Sequence, residues 1–244
     1  EDAAHSLGAT YSSGSATFRS ASCTHTDMAI LSFHPVKHLT TGEGGAITTN
    51  DAALYQTLCD LRTHGITKDP ARLARNDGPW YYEQQVLGFN YRITDLQCAL
   101  GVSQSKKFPG FLARRREIAA RYDRAFAPMR DVVRPLDIPV GTASSYHLYV
   151  VSIVPRAGET LASVAARRKE LFVRLREQNI APQVHYIPVH VQPDFARNGL
   201  SNGRFPGANA YYAGCLSLPM FPAMTDDDVD YVATSVHTIL AAGS

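Results

Sequence analysis

Lys37 stands in "SFHPVKHLTTGEGGAITTN", residues 32 to 50, between a proline and a glycine-rich run and directly after an apolar stretch. A lysine amine attacks a carbonyl carbon only when it is unprotonated, so a nucleophilic lysine must be held where burial or a neighbouring cation lowers its pKa. Pro35 restricts the loop upstream, and Gly42, Gly44 and Gly45 leave out side chains where a backbone or ligand must come close. Spacing alone also describes a solvated hairpin lysine. Asp2, in "EDAAHSLGA", offers a carboxylate followed by small residues. At a strand end such a carboxylate can pair with a pyridine ring nitrogen and hold its proton, and on a surface it can equally cap a helix. His5 shares its side if the chain turns helically there.

Three further groups have chemical potential. Ser32 precedes the lysine by five positions, and its hydroxyl can donate to a phosphate or simply end a strand. "GFNYRITD", residues 88 to 95, places Gly88, Asn90 and Arg92 ahead of a helix start, where amide and guanidinium donors can meet an anion. "HYIPVH", residues 185 to 190, sets His185 and His190 five apart across a proline, which fits no metal-ligand motif closely. No metal is expected.

The elements that must position these groups follow from periodicity. "MAILSF", 28 to 33, and "GGAITTN", 44 to 50, are strand-length runs flanking the lysine loop. "DAALYQTLCDLRTHG", 51 to 65, predicts a helix with Asp51 as N-cap, a face of Leu54, Leu58 and Leu61, and Gly65 at the C-cap. "TDLQCALGVSQSKKF" predicts a second helix capped by Thr94, and "FLARRREIAARYDRAFAPM" a third. Pro, Gly and Ser crowd together after Asp131, which places a domain boundary there: residues 1–130 and 131–244. Beyond it, "SYHLYVVSIV" predicts a strand, "LASVAARRKELFVRLREQN" an amphipathic helix, "APQVHYIPVH" extended chain, and "TDDDVDYVATSVHTILAA" a helix capped at Thr225. Alternating strands and helices give an α/β fold.

Composition limits the function classes. The 244 residues are 45% hydrophobic and 19% charged with a formal charge of +2, the make-up of a globular chain with no basic block for nucleic acid or an anionic membrane. Cys23, Cys59, Cys98 and Cys215 are widely spaced, which predicts free thiols and a cytoplasmic setting. No apolar run reaches the ~18 residues a membrane helix needs. The chain opens without methionine, in an already chemically loaded segment, and reads like the middle of a longer protein.

In order, "EDAAHSLGA", "SFHPVKHLTTGEGGAITTND", "GFNYRITDLQCALG", "HYIPVHVQPDF" and "LSLPMFP" resemble the nucleotide-sugar aminotransferases of the DegT/StrS type, over nearly the whole chain. Those are fold-type I pyridoxal 5'-phosphate (PLP) enzymes, and the wording around Lys37 is most similar to the aminotransferases of pseudaminic acid synthesis. The resemblance implies that Lys37 bonds the cofactor and is catalytic, that Asp2 pairs with the pyridinium nitrogen, and that His5 flanks the ring. It further implies Ser32 at the phosphate, Asn90 reaching the phosphate of a partner protomer's cofactor, and a homodimer. His185, Tyr186 and His190 fall in a segment near the sugar site of similar enzymes. The implied reaction transfers an amino group from glutamate to the C4 keto group of a UDP-linked 4-keto-6-deoxy sugar. Residues 1–130 would then be the remainder of the large PLP-binding domain and 131–244 the small C-terminal domain.

One departure from the resemblance is large. The segment that family members carry ahead of the aspartate, with most of the central sheet, a phosphate loop and the residue stacked on the ring, has no counterpart here. Exposed apolar faces around "MAILSF" are the expected result. Three rivals remain at this level: a dehydratase of the same fold, disfavoured because such enzymes usually replace the lysine by histidine; a non-catalytic binding or regulatory relative; and a metal hydrolase built on His5, His185 and His190.

Overall fold

The computed structural model describes residues 1–200 and 202–242. Its elements are β1 (Thr10–Ser13), β2 (Ala16–Arg19), β3 (Ala29–Ser32), β4 (Gly45–Thr48), α1 (Ala52–Arg62), β5 (Ile66–Thr67), β6 (Glu83–Gln84), α2 (Asp95–Phe126), β7 (Val133–Pro135), β8 (Thr142–Ala143), β9 (Tyr149–Ile153), α3 (Leu161–Glu177), α4 (Pro193–Arg197), α5 (Pro206–Gly214), β10 (Cys215–Leu218) and α6 (Asp226–Ala242). They form two compact units: Glu1–Gly110 with Gly141–Ser145, and Phe111–Val140 with Tyr146–Ser244. The fold is α/β, as expected.

The first unit is built from small antiparallel pairings. β3 pairs with β4, with Ile30 opposite Ile47 and Ser32 opposite Gly45. β2, β1 and β8 form a three-stranded sheet, and β5 pairs with β6. Asp2 makes a single parallel bridge to Ile30, held by Ala3 N–H donating to Ile30 O at 2.9 Å and Ile30 N–H to Glu1 O at 3.0 Å. Side chains alternate along this short strand, so Ala3 is buried against Ala29 and Cys23 while Asp2 stays exposed. Ile30 and Ile47, paired on one face of the β3–β4 hairpin, are about half exposed, as the sequence led one to expect of these strands.

α1 begins where predicted, with the Asp51 carboxylate accepting from the amides of Ala53 and Leu54 at 2.7 and 2.9 Å. The two helices predicted on either side of Phe108 are one 32-residue helix, α2, running through Pro109. Proline inside a helix costs roughly 3 kcal/mol. The fully buried face of Ile118, Tyr122 and Phe126 offsets it, at about 2 kcal/mol per large side chain.

The second unit holds a larger core. β9 lies between β10 and β7, and Val151, Ile153 and Leu216 of this sheet pack with Leu171 and Leu175 of α3 and Val229 and Val236 of α6. α6 is capped reciprocally: Asp228 N–H donates to Thr225 Oγ1 at 3.1 Å and Thr225 N–H to the Asp228 carboxylate at 2.8 Å. The strand predicted over 145–154 shortens to Tyr149–Ile153. The buried Arg115 guanidinium takes the carbonyls of Tyr146, His147 and Met220 at 3.0, 3.1 and 3.2 Å, so that stretch of backbone serves a side chain instead of a ladder. "APQVHYIPVH" contributes only the bridge of Gln183 to Ser217 and a short 3-10 turn at Val189–Val191. All four cysteines are free: Cys23 and Cys215 buried, Cys98 exposed, Cys59 between. Among the described residues no helix is long and apolar enough to cross a membrane.

Candidate active site

Asp2 reaches its position because its strand runs parallel to β3, which puts it at the same end as Ser32. Ligands of α/β sheets bind beyond the carboxyl ends of parallel strands, where loops rather than ladder bonds terminate the chain. The chain then turns: the Asp2 carboxylate accepts from Ala4 N–H at 3.0 Å and Ser6 N–H donates to Ala3 O at 3.1 Å. His5 sits on this turn, exposed.

The lysine loop leaves β3 after Ser32 and is closed at its base. Phe33 N–H donates to Gly44 O at 2.8 Å, while the Phe33 carbonyl accepts from Thr41 N–H at 3.0 Å and Thr40 Oγ1 at 3.1 Å. Gly44 has φ +154° and a Cβ there would lie 2.4 Å from Thr41 Oγ1, so the glycine is required for this closure. At the tip, Lys37 N–H donates to His34 O at 3.0 Å, which forms a tight turn. His38, next in sequence, is buried.

Within that loop Lys37 is partly buried, and loss of solvent pushes its pKa below the ordinary 10.5; the Asp2 carboxylate acts in the opposite direction. The structure therefore brings the two strongest candidates of the sequence together: an amine biased toward its neutral, nucleophilic form, with a carboxylate within electrostatic reach. Ser32, at the strand end between them, carries a partly buried hydroxyl that accepts a long 3.4 Å contact from His34 N–H.

Asn90 is held by backbone pairing to the end of α1. It bridges to Thr63, flanked by Phe89 N–H donating to Leu61 O at 2.7 Å and Tyr91 N–H to Arg62 O at 2.9 Å. Two glycines allow this approach: a Cβ on Gly88 would lie 2.2 Å from Gly65 N, and one on Gly65 1.8 Å from Val86 O. Asn90 is exposed, and the rings of its two chain neighbours, Phe89 and Tyr91, stack on each other with centroids 4.8 Å apart.

In the second unit, His185 Nδ1 lies 2.8 Å from Ser217 Oγ, and the His185 carbonyl accepts from Tyr211 OH at 3.1 Å. Tyr186 is 58% exposed with its ring edge-on to His185. His190 differs from both. It is buried, its Nε2 is 2.9 Å from Asn209 Oδ1, and its ring stacks on Phe205 at 4.7 Å. Burial pushes the nearby Tyr211 hydroxyl up to about 12. No group of three or more His, Cys, Asp or Glu side chains is placed to hold a metal ion among the described residues.

The sequence reading passed over His38, Thr40 and Thr41, which build the loop around Lys37, and Arg115, which clamps the start of β9. The threonine pair was visible in "TTGEGG". Nothing in the pattern marked a buried histidine or arginine.

The donor set of the first unit fits a pyridoxal phosphate: an amine shifted toward its neutral form, a carboxylate within electrostatic reach of it, and a hydroxyl at the same strand end. A family model described as the DegT/DnrJ/EryC1/StrS aminotransferase family matches residues 1–237. The spore coat polysaccharide biosynthesis protein SpsC of Bacillus subtilis is 37% identical over 98% of this chain and 59% of its own length. A UDP-4-amino-4,6-dideoxy-N-acetyl-beta-L-altrosamine transaminase of Campylobacter jejuni is 34% identical over 98% of the chain and 58% of its own. Among solved structures, Spr1654 of Streptococcus pneumoniae, assigned as a sugar aminotransferase, matches in its PMP-form with a TM-score of 0.85 and 31% identity over 99% of this chain and 58% of that one. Helicobacter pylori PseC, an aminotransferase involved in pseudaminic acid biosynthesis, matches with a TM-score of 0.84 and 27% identity over 99% of this chain and 59% of that one. The chain thus spans under three fifths of the length of the curated relatives it matches.

Proposed function

The chain belongs to the DegT/DnrJ/EryC1/StrS aminotransferase family, and from that premise we propose that it is the catalytic-lysine portion of a PLP-dependent nucleotide-sugar aminotransferase. The observation that carries this reading is the pairing of Lys37, its amine pushed toward the neutral form by burial, with the Asp2 carboxylate. Aminotransferases of this family are PLP-dependent, and a solved relative exists in PLP- and PMP-forms.

Bound PLP supplies an electrophilic carbon and an electron-withdrawing ring. This chain's residues do the rest. Lys37 Nζ would hold the cofactor and, once displaced by the donor's amino group, would take a proton from the α-carbon of the amino donor and later deliver one to C4 of the acceptor sugar, acting as base and acid in turn. A lowered pKa suits both roles, because an amine titrating nearer neutrality gives and takes protons readily. The Asp2 carboxylate keeps the ring nitrogen protonated. The Ser32 hydroxyl would donate to the phosphate, His5 would flank the ring, and Asn90 would reach the phosphate bound by a second protomer.

The finer reading is a 4-amino sugar product, formed from a UDP-linked 4-keto-6-deoxy-N-acetylhexosamine with glutamate as donor, as in pseudaminic acid synthesis. It rests on the wording around Lys37 and on the likeness to the Campylobacter transaminase and to PseC. On the sugar side, Tyr186 and His185 present the accessible groups, while the buried His190 positions their segment. A homodimer is supported by the exposed apolar residues Trp80, Tyr82, Leu87, Phe89, Tyr91 and Leu96, which a second copy would cover. A cytoplasmic site of action completes the reading. Residues 1–130 form the remainder of its cofactor domain and 131–244 its small domain, a functional division distinct from the compact units, which part within α2.

Borohydride reduction in the presence of PLP, followed by peptide mass mapping, tests the proposal. The expected result is one phosphopyridoxyl adduct, on Lys37, absent from Lys37→Ala. An adduct spread over surface lysines, or none, overturns it and favours a non-catalytic relative.

A further inference from the structure

The base of the lysine loop is closed by bonds of Phe33 to Gly44, Thr40 and Thr41. His34, Pro35 and Val36 are exposed, and the Lys37 N–H donates to the carbonyl of His34, three residues away. A contact distant in sequence reaches the tip. His38 Nε2 lies 3.0 Å from the carbonyl oxygen of Ser145, 107 residues on. A carbonyl only accepts, so Nε2 carries the proton. The ring is 5% exposed and meets Phe108 of α2 edge-on, with centroids 6.4 Å apart.

Ser145 ends a five-residue strap, Gly141–Ser145, that returns to the first unit from far along the chain. The strap is pinned along β1: Thr10 pairs with Ala143, Tyr11 with Thr142, and Ser12 N–H donates to Gly141 O at 2.7 Å. At its end the Ser145 hydroxyl donates to the His5 carbonyl at 3.4 Å, on the turn that follows Asp2. One residue, 1% exposed, thus touches both segments of the reactive pair: the Asp2 turn through its hydroxyl and the Lys37 loop through its carbonyl.

We propose that His38 and Ser145 are positioning residues, joining the Lys37 loop to the Asp2 turn so that the amine is held partly out of solvent beside its carboxylate. Their effect is carried by the separation and solvation of Lys37. The inference goes beyond the proposed reaction and takes from it only the importance of Lys37. Burial lowers the pKa of that amine and Asp2 opposes the shift, so releasing the tip admits water and moves the amine back toward 10.5.

The test reads the amine directly. Each lysine is acylated competitively over a pH series and its midpoint obtained by mass spectrometry, with no cofactor present. In the wild-type chain the Lys37 midpoint lies below the ordinary lysine value of 10.5. His38→Phe keeps the ring volume and removes the donor, and the Lys37 midpoint rises toward 10.5. His38→Gln, whose amide nitrogen reaches a similar distance, restores the wild-type midpoint. A structural role alone would lower the melting temperature of the Phe variant without moving this midpoint. Should His38→Phe not fold, His38→Asn, whose amide stops short of the Ser145 carbonyl, is read in the same way. A folded variant with a wild-type midpoint, or a Gln variant that behaves like Phe, overturns the proposal. Because no cofactor takes part, the outcome is independent of the adduct experiment, and either reading can fail alone.

Discussion

Lys37 and Asp2 owe their chemistry to one backbone relation: a carboxylate on a strand parallel to β3 and an amine on the loop that leaves β3. Asp2 favours the charged amine, so removing its charge lets burial act unopposed. Asp2→Asn keeps the oxygen that accepts from Ala4 N–H and loses the charge. The Lys37 acylation midpoint moves further down in this variant, and a midpoint that rises would mean the two groups do not sense each other. Both residues were legible in the sequence because the motif around each is long. His185 and His190 were equally legible as residues but not as environments: one lies beside an exposed tyrosine, the other is sealed under Phe205. Spacing across a proline carries no information about which ring is covered. His38 and Arg115 escaped notice for a related reason, since buried polar side chains bonded to distant carbonyls leave no periodic trace.

Elements announced themselves where local chemistry decides them. Asp51 and Thr225 cap helices from within the sequence, and β3, β4, α3 and α6 lie where apolar spacing put them. α2 did not, because a Pro–Gly pair ordinarily ends a helix and here the burial of a face further along overrides it. The Gly65–Gly88 approach is likewise a tertiary fact written in two residues with no mutual sequence signal. It governs Asn90, whose backbone pairs with α1 through the same crossing. Gly88→Ala forces the two backbones apart and lowers stability by about 2 kcal/mol. Amide hydrogen exchange checks this locally: Phe89 and Tyr91 N–H, protected by Leu61 and Arg62 carbonyls, exchange faster while helix α6 is unchanged. Uniform loss of protection throughout the chain would contradict that account.

At the level of the whole chain, the α/β class was readable from alternation alone. The two units differ in how much they bury, which composition could not reveal. The second unit surrounds β9 with large side chains from α2, α3 and α6, whereas the cluster beneath Asp2 consists of Ala3, Cys23 and Ala29. The apolar faces of Ile30 and Ile47 stay open. The buried cysteines fall one to each unit: Cys23, 3.2 Å from Thr48 O, and Cys215, fully enclosed with its thiol pKa raised by burial. They are native stopwatches. A maleimide consumes the exposed Cys98 at once and thereafter alkylates Cys23 and Cys215 only as fast as each surrounding breathes, so in mild urea Cys23 disappears first and Cys215 with global melting. Coincident decay of the two signals would instead reveal a single cooperative body.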